Sequence, residues 1–285
     1  MTNPIIHPIQ SLPVQSLPVQ SRFDFLRQLF AESGAILRAA YRSGSIKTET
    51  KEALSPMVTA VDRSVEEALT NLIRRAFPDD AIWGEEDGLV EGNSPYQWII
   101  DPIDGTSSFV RGLPLFGTLI GCVERSSGTI LFGGADQPIL GDQIVAIRGA
   151  SPLWNGTAVF NRYRQDKTAL LSEACLCATT PLMFSTAHEQ RVLDAAIATC
   201  RRTAWGGDWF NYGLMIGGGT AIPLVIVEAS LNYYDICALV PIIEEAGGVI
   251  TDWQGSPVTE KTSQVIAAPS QQLWKQLLEV TRTVK

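Results

Sequence analysis

Two aspartates separated by two residues, Asp101 and Asp104, stand directly after an apolar stretch. The segment reads Trp-Ile-Ile-Asp-Pro-Ile-Asp-Gly-Thr over residues 98–106, which is typical of a buried strand that ends in a turn. Because Pro102 fixes one φ angle, this spacing can place both carboxylates and the carbonyl of Ile103 around one point. Such a cage of oxygen atoms suits a hard cation such as Mg²⁺.

Gly105 and Thr106 follow at once and offer backbone amides where a turn or a helix begins. Amides in that position suit an anionic phosphate group. A metal ion and a phosphate would therefore meet on adjacent residues. The alternative is that Asp-Pro-x-Asp-Gly-Thr is merely a turn, since Asp, Pro and Gly are the commonest turn formers.

Other acidic residues could contribute to such a site. Glu85 opens a run of three acids after the apolar residues 81–83, and Asp235 heads an apolar helix. Each also has a plain structural interpretation, because the acidic run could be a solvated surface and Asp235 could be a helix cap. Asp62 lies in a Thr-x-x-Asp pattern, which is the spacing of a capping box.

The composition argues against several other chemistries. The 285 residues carry 22 Lys and Arg against 30 Asp and Glu, so the net charge of -8 provides no basic field for a nucleic acid or an anionic membrane. Only His7 and His188 are present, so a Ser-His-Asp triad or a His-based zinc site would rest on His188 alone. The five cysteines include no C-x-x-C pair, which argues against a disulfide framework or a thiolate metal site. We expect hydrolytic chemistry that uses carboxylates and hard metal ions.

Residues 1–20 contain no Lys or Arg, and residues 10–20 repeat Gln-Ser-Leu-Pro-Val with a proline at every fifth position. Proline removes amide donors and blocks a helix, so we expect a flexible leader without a catalytic role, and not a signal peptide. The most apolar later stretch, residues 212–227, is interrupted by glycines and Pro223 and is too short to span a bilayer. These features predict a cytoplasmic protein.

The spacing of apolar residues predicts helices alternating with short strands after the leader. This mixture is typical of a layered α/β or α+β fold. Pro241 should kink the helix that contains it, because its ring crowds the carbonyl of Cys237. The predicted helices are 22–44, 59–77, 189–201, 235–246 and from 271 onward, and the predicted strands are 81–84, 96–101, 115–123, 129–135, 143–148, 174–179, 223–228, 249–252 and 264–267.

Four motifs in register resemble the inositol monophosphatase family of Mg²⁺-dependent, lithium-sensitive phosphatases. They are Val-Thr-x-x-Asp at 58–62, Gly-Glu-Glu at 84–86, the Asp-Pro-Ile-Asp-Gly-Thr segment at 101–106, and Tyr-Asp at 234–235 followed by Glu-Glu-Ala-Gly-Gly at 244–248. The resemblance runs from about Arg22 to the C-terminus. It implies a layered αβαβα sandwich in one catalytic domain, residues 21–285, with a metal-binding half at about 21–150 and a substrate-specificity half at about 151–285.

The resemblance also implies a role for each matching residue. Asp62 and Thr106 would activate the attacking water, and the amides of Gly105 and Thr106 would contact the phosphate. Two or three Mg²⁺ ions and a homodimer are implied as well. The implied metal ligands are Glu85, Asp101, the carbonyl of Ile103, Asp104 and Asp235.

The second half of the chain departs from the inositol branch of that family. Its Trp-Gly-Gly-Asp segment at 205–208 and the Tyr at 234 look more like the histidinol-phosphatase branch. Histidinol phosphate carries an ammonium group that an acidic pocket can pair with, and Asp208 and Glu228 are the candidates. The alternatives are an inositol-1-phosphate phosphatase, a broad-specificity sugar or nucleotide monophosphatase, or a silent relative with a binding role. Asp208 could also be a buried cap, since a carboxylate accepts hydrogen bonds from backbone and from hydroxyls alike.

Overall fold

Eight α-helices and fifteen strands occur in the part of the chain that the computed structural model describes, which comprises residues 17–43, 48–50, 57–217 and 219–284. The helices are α1 (Leu17–Ala40), α2 (Ala60–Ala76), α3 (Thr106–Val110), α4 (Ala187–Thr199), α5 (Asp208–Ile216), α6 (Tyr233–Ile236), α7 (Leu239–Glu245) and α8 (Gln271–Thr283). The strands are β1 (Thr48–Thr50), β2 (Met57–Thr59), β3 (Ala81–Gly84), β4 (Gly88–Val90), β5 (Tyr96–Asp104), β6 (Gly117–Glu124), β7 (Thr129–Gln137), β8 (Asp142–Ile147), β9 (Leu153–Trp154), β10 (Thr157–Ala158), β11 (Cys175–Ala178), β12 (Arg202–Trp205), β13 (Leu224–Glu228), β14 (Val249–Asp252) and β15 (Val265–Ala268).

The larger sheet has the order β10-β9-β8-β7-β6-β5-β3-β4. Its described pairs are antiparallel except β3 with β5, which run parallel. Side chains alternate between its faces, so Trp98 and Ile100 of β5 join a core with α1 and α2, whereas Ile99 joins a core with α5, α6 and α7. Burial on both faces explains why residues 98–100 form an unbroken apolar run.

The smaller sheet has the order β12-β11-β13-β15-β14. Its strand β13 shows the same alternation: Ile226 faces the core that holds α5 to α7, and Val225 and Val227 face α4 and α8. The layers are therefore α1 and α2, the larger sheet, α5 to α7, the smaller sheet, and α4 with α8. This αβαβα order confirms the predicted fold class.

The first helix begins earlier than the sequence pattern indicates. Residues 17–20, which we assigned to the flexible leader, form the first turn of α1. Pro18 is tolerated there because the first helical turn needs no amide donor from that position. The rest of the predicted leader, residues 1–16, lies outside the described residues.

The predicted helix at 235–246 is divided into α6 and α7. The break falls at Cys237 and Ala238, which lie four and three residues before Pro241, respectively. This position agrees with the expected crowding between the Pro241 ring and the carbonyl of Cys237. The break leaves α6 as a single turn that carries Asp235.

Several short strands were not predicted. The four residues of β12 are all exposed and lie at the edge of the smaller sheet, so they show no apolar alternation. The strands β1, β2, β4, β9 and β10 have only two or three residues each, which is too short for a periodic signal. Within the described ranges, no helix is both long enough and apolar enough to cross a membrane.

Candidate active site

The end of β5 delivers the first acidic side chain of the site. Asp101 is 2% exposed, and its Oδ1 atom has no hydrogen-bond partner among the described residues. Pairing with β6 becomes irregular between Asp101 and Asp104, where Pro102 interrupts the ladder. A buried carboxylate oxygen without a donor is costly unless a cation or a proton satisfies it.

The parallel pairing of β3 with β5 places Glu85 beside Asp101. Gly84 is in register with Ile100, so the next residue on each strand carries a carboxylate at the same edge of the sheet. Burial, with Asp235 as the next cause and then Glu86 and Asp62, raises the pKa of Glu85 to about 8. Burial followed by the nearby Glu85 and Asp104 raises the pKa of Asp101 well above its usual range.

Asp104 and Asp235 come from different halves of the chain and complete this acidic group. The Oδ2 atom of Asp104 accepts a hydrogen bond from the amide of Trp209 at 2.7 Å. Asp235 accepts one from the amide of Asn232 at 2.6 Å, in a capping box in which Asn232 is the N-cap. Burial raises the pKa of Asp235 to about 7, so this residue both caps α6 and adds to the crowded negative charge.

Thr106 begins α3 beside Asp62. Its Oγ1 atom lies 2.9 Å from the carbonyl oxygen of Ile103 and 3.3 Å from Oδ1 of Asp62. A hydroxyl has a single hydrogen, which these two acceptors must share. Asp62 is buried near the start of α2, so the structure brings it to the Asp-Gly-Thr turn as the resemblance implies.

Gly105 allows Asp208, from the C-terminal half of the chain, to approach that turn closely. Its φ is +82°, and a Cβ added there would lie 2.8 Å from the carbonyl oxygen of Leu115 and 2.9 Å from Oδ2 of Asp208. The same Asp208 oxygen accepts a hydrogen bond from Ser108 Oγ at 3.2 Å. Asp208 is therefore held against α3, and burial raises its pKa.

Glu228 lies at the end of β13 and is already well supplied with donors. Its Oε1 atom accepts hydrogen bonds from the amide and the hydroxyl of Thr179 at 2.7 and 2.8 Å, and its Oε2 atom accepts one from Tyr212 at 2.6 Å. Burial raises the pKa of Glu228, and these three bonds oppose that rise. A substrate role for Glu228 stays a prediction.

The donor set suits a hard divalent cation. Carboxylate and carbonyl oxygens are the ligands that Mg²⁺ and Ca²⁺ prefer. The Oδ1 atom of Asp101, buried without a hydrogen-bond donor among the described residues, could accept such a cation. Within the described ranges, no group of three or more Asp, Glu, His or Cys side chains is already arranged to hold a metal ion. Crowded carboxylates repel one another until a cation joins them, which is consistent with their raised pKa values.

Sequence reasoning missed Glu66. This residue is buried on α2, and its carboxylate accepts hydrogen bonds from the amides of Glu86 and Asp87 at 2.9 and 2.8 Å. One signal was available, because Glu66 follows Asp62 by four residues and stands next to Val65 on the inward face of the helix. A charged residue on a buried helical face indicates a polar partner.

The chain is similar in sequence and in fold to several known proteins. The bifunctional phosphatase IMPL2, chloroplastic, of Arabidopsis thaliana is 35% identical over 260 residues, which cover 87% of this chain and 71% of that protein. A histidinol-phosphatase of Streptomyces coelicolor is 32% identical over 224 residues, which cover 76% of this chain and 81% of that protein. The solved structure of an inositol monophosphatase from Zymomonas mobilis matches with a TM-score of 0.80 at 32% identity, covering 94% of this chain and 100% of that one.

The model of the inositol monophosphatase family matches residues 19–285. This family is generally Mg²⁺-dependent and hydrolyses phosphoric monoesters. The acidic group at the ends of β3 and β5 and the adjoining Asp-Gly-Thr turn occupy the matched region. The chain therefore belongs to the inositol monophosphatase family and is a phosphatase of phosphoric monoesters.

Proposed function

We propose that this phosphatase uses two or three Mg²⁺ ions and acts on histidinol phosphate, releasing histidinol and inorganic phosphate. The observation that supports this substrate is the closeness of Asp208 to the Gly105 turn, where a Cβ added at Gly105 would lie 2.9 Å from Oδ2 of Asp208. Histidinol phosphate bears its ammonium on the carbon next to the ester carbon, so a carboxylate that recognises it must stand close to the phosphate. Asp208 meets that requirement if the Gly105 turn holds the phosphate.

Each side chain has a role in this proposal. Glu85, Asp101, the carbonyl of Ile103, Asp104 and Asp235 are the proposed metal ligands. Bound Mg²⁺ supplies positive charge that neutralises the phosphate oxygens and lowers the pKa of an attacking water. The hydroxyl of Thr106 orients that water, and Asp62 accepts the proton through the 3.3 Å contact between the two side chains.

The proposed phosphate contacts are the amides of Gly105 and Thr106. Both belong to the turn where β5 ends and α3 begins, so the phosphate would lie within one residue of Asp104. This closeness lets the charges of the ester and of the acidic group be compensated at one place. Glu228, which accepts hydrogen bonds from Thr179 and Tyr212, is proposed as a second substrate contact.

Inositol 1-phosphate is the second candidate substrate. The Zymomonas mobilis structure bears the name of an inositol monophosphatase, and its identity of 32% equals that of the Streptomyces coelicolor histidinol-phosphatase. The carboxylates of Asp208 and Glu228 would accept hydrogen bonds from inositol hydroxyls as naturally as from an ammonium. A direct comparison of substrates is therefore required.

The test is release of inorganic phosphate from histidinol phosphate and inositol 1-phosphate side by side, with Mg²⁺ and with chelator. We expect turnover that needs Mg²⁺ and a higher kcat/KM for histidinol phosphate. A preference for inositol 1-phosphate would place the chain in the inositol branch. Turnover of neither ester with Mg²⁺ would favour another monoester or a binding role.

We also propose that the chain works in the cytoplasm as a homodimer. The dimer is proposed because the motifs of the chain resemble those of the family. The cytoplasmic location is proposed from the composition and from five cysteines that include no C-x-x-C pair. Light scattering after size-exclusion chromatography tests the dimer directly. A single species at 31.0 kDa over the working concentration range would contradict it.

A further inference from the structure

Glu66 links α2 to the turn that carries Glu85. Its Oε2 atom accepts a hydrogen bond from the amide of Glu86 at 2.9 Å, and its Oε1 atom accepts one from the amide of Asp87 at 2.8 Å. The side chain is only 1% exposed. One buried carboxylate thus binds both residues that follow Glu85.

Gly84 makes room for this carboxylate. A Cβ added at Gly84 would lie 2.0 Å from Oε1 of Glu66, which is far inside van der Waals contact. Gly84 has no positive φ, so glycine is required here for space and not for backbone conformation. The end of β3 is therefore shaped to accept Glu66.

The turn needs such an anchor because it holds three acids in a row. Arg63, also on α2, supplies a second contact, with Nε 3.7 Å from Oε2 of Glu86. On its other side the turn is fixed by the pairing of Gly84 with Ile100. Glu85 is consequently held between a strand register and the side chain of Glu66.

We propose that Glu66 is a positioning residue for the metal site: by binding the amides of Glu86 and Asp87, it holds Glu85 beside Asp101 and so sets the affinity for Mg²⁺. This inference rests on the proposed metal role of Glu85. Glu66 itself contacts neither metal nor substrate. A residue that orients a ligand in this way commonly changes metal affinity or activity by about 10–100-fold when it is replaced.

The first test compares Glu66→Gln with Glu67→Gln, an identical change at the exposed neighbouring position. Glutamine keeps one acceptor and presents an NH₂ group to the second amide, so one of the two bonds is lost. Mg²⁺ binding is measured by calorimetry without substrate, and kcat and KM are measured at saturating Mg²⁺. We expect Mg²⁺ binding weaker by about 10–100-fold in Glu66→Gln, an unchanged KM at saturation, and wild-type behaviour in Glu67→Gln.

Gly84→Ala provides a second route that keeps every carboxylate. The added methyl group displaces the Glu66 carboxylate from the turn, so this variant should weaken Mg²⁺ binding in the same way. Because both changes break the same contact, the double variant should lose little more than either single one. If Glu66→Gln does not fold, Gly84→Ala and the shorter Glu66→Asp carry the test.

The outcomes separate this inference from the proposed function. Wild-type Mg²⁺ affinity in any folded variant of Glu66 or in Gly84→Ala overturns the positioning role and leaves the phosphatase proposal intact. Absence of Mg²⁺ binding in the wild-type protein overturns the metal assignment, and the positioning role with it. An equal loss in Glu67→Gln would show that charge on α2, and not the contact with the turn, controls binding.

Discussion

The acidic residues at the two ends of β3 are in opposite circumstances. Just before the strand, Asp80 accepts two hydrogen bonds of 2.7 Å from Arg22, one of 2.6 Å from Ser94 and one of 2.9 Å from Trp98. Just after the strand, Glu85 and its neighbour Asp101 face other acids, and Oδ1 of Asp101 has no donor among the described residues. At the start of β3, the positive charge that compensates Asp80 is therefore a side chain of the protein, Arg22.

This difference distinguishes acidic residues that stabilise the fold from acidic residues that could bind a ligand. Asp80 and Asp101 are of the same residue type and are 3% and 2% exposed, so neither residue type nor burial distinguishes these two. The distinguishing property is whether the protein supplies the compensating charge itself. Asp80 has the guanidinium of Arg22, which also stacks 4.1 Å from the centre of the Tyr96 ring, whereas Asp101, as a proposed metal ligand, would need a cation from solution.

The largest effect is expected from Asp101→Asn at the uncompensated end. The change removes a proposed metal ligand with little change of shape, so kcat/KM should fall by more than about 100-fold. Stability in chelator should not fall, because the change removes a carboxylate whose ionised form is disfavoured by burial and by the neighbouring acids. Phosphate release and thermal unfolding measure the two effects, with exposed Asp194→Asn as the control. A variant that keeps its activity would show that Asp101 is no ligand.

Arg22→Gln should have the opposite pattern at the compensated end. Breaking a buried ion pair leaves Asp80 without its cation and costs about 3–5 kcal/mol of unfolding free energy. The kcat of the fraction that remains folded should stay at the wild-type value, since Arg22 is remote from the acidic group in the fold. Urea unfolding and active-site-normalised turnover test this pair of expectations. A large loss of kcat without a loss of stability would mean that the two ends of β3 are coupled.

The dependence of stability on pH provides a third test of the difference between the two ends of β3. The pKa values of Glu85 and Asp235, about 8 and about 7, are raised above their ordinary 4.5 and 3.8, so the folded protein binds these protons more tightly than the unfolded chain. Their stabilising contribution is complete below about pH 4 and is lost as the pH rises through 7 to 8. The Tm in chelator should therefore fall over this range, by about 2–4 °C for each 1 kcal/mol lost.

Added Mg²⁺ should oppose that fall, because the cation then replaces the protons. The measurement is Tm against pH in chelator and in Mg²⁺ at matched ionic strength. Identical curves with and without Mg²⁺ would be incompatible with a cation site at this end of β3.

The smallest effect on catalysis is expected from Asp208→Asn, in the C-terminal half of the chain. Asparagine tolerates the φ of +44° at this position and keeps the hydrogen bond from Ser108, so folding should be preserved. Loss of the charge should raise KM for histidinol phosphate by about tenfold, the effect of one charge-assisted hydrogen bond. A generic aryl phosphate should be hydrolysed as by the wild type. Equal losses on both esters would make Asp208 a structural residue.

The sequence predicted the layered fold and the acidic end of β5 for clear physical reasons. Strands such as β5 and β13 are buried on both faces, so they read as continuous apolar runs. The Asp-Pro-x-Asp-Gly-Thr motif is local, because most of its geometry follows from one proline, one glycine and the end of one strand. Information of this kind is contained within a few adjacent residues.

Contacts between distant residues could not be predicted in the same way. The bonds of Glu66 to Glu86 and Asp87, and of Asp104 to Trp209, join residues 20 to 105 positions apart. No local pattern distinguishes a carboxylate that will meet an amide from one that will meet water. The early start of α1 was missed for a related reason, because Val19 of its first turn is buried in the core with α2 and β5, a contact that no local pattern shows.

The parallel register of β3 with β5 has an evolutionary consequence. A slip of one residue would turn Glu85 to the opposite face of the sheet, and a slip of two would carry it about 7 Å away from Asp101. The separation of these two carboxylates is therefore a discrete quantity that small mutations cannot tune gradually. Gradual changes of geometry are instead expected in segments outside the ladder, such as the two positive-φ glycines before Asp208.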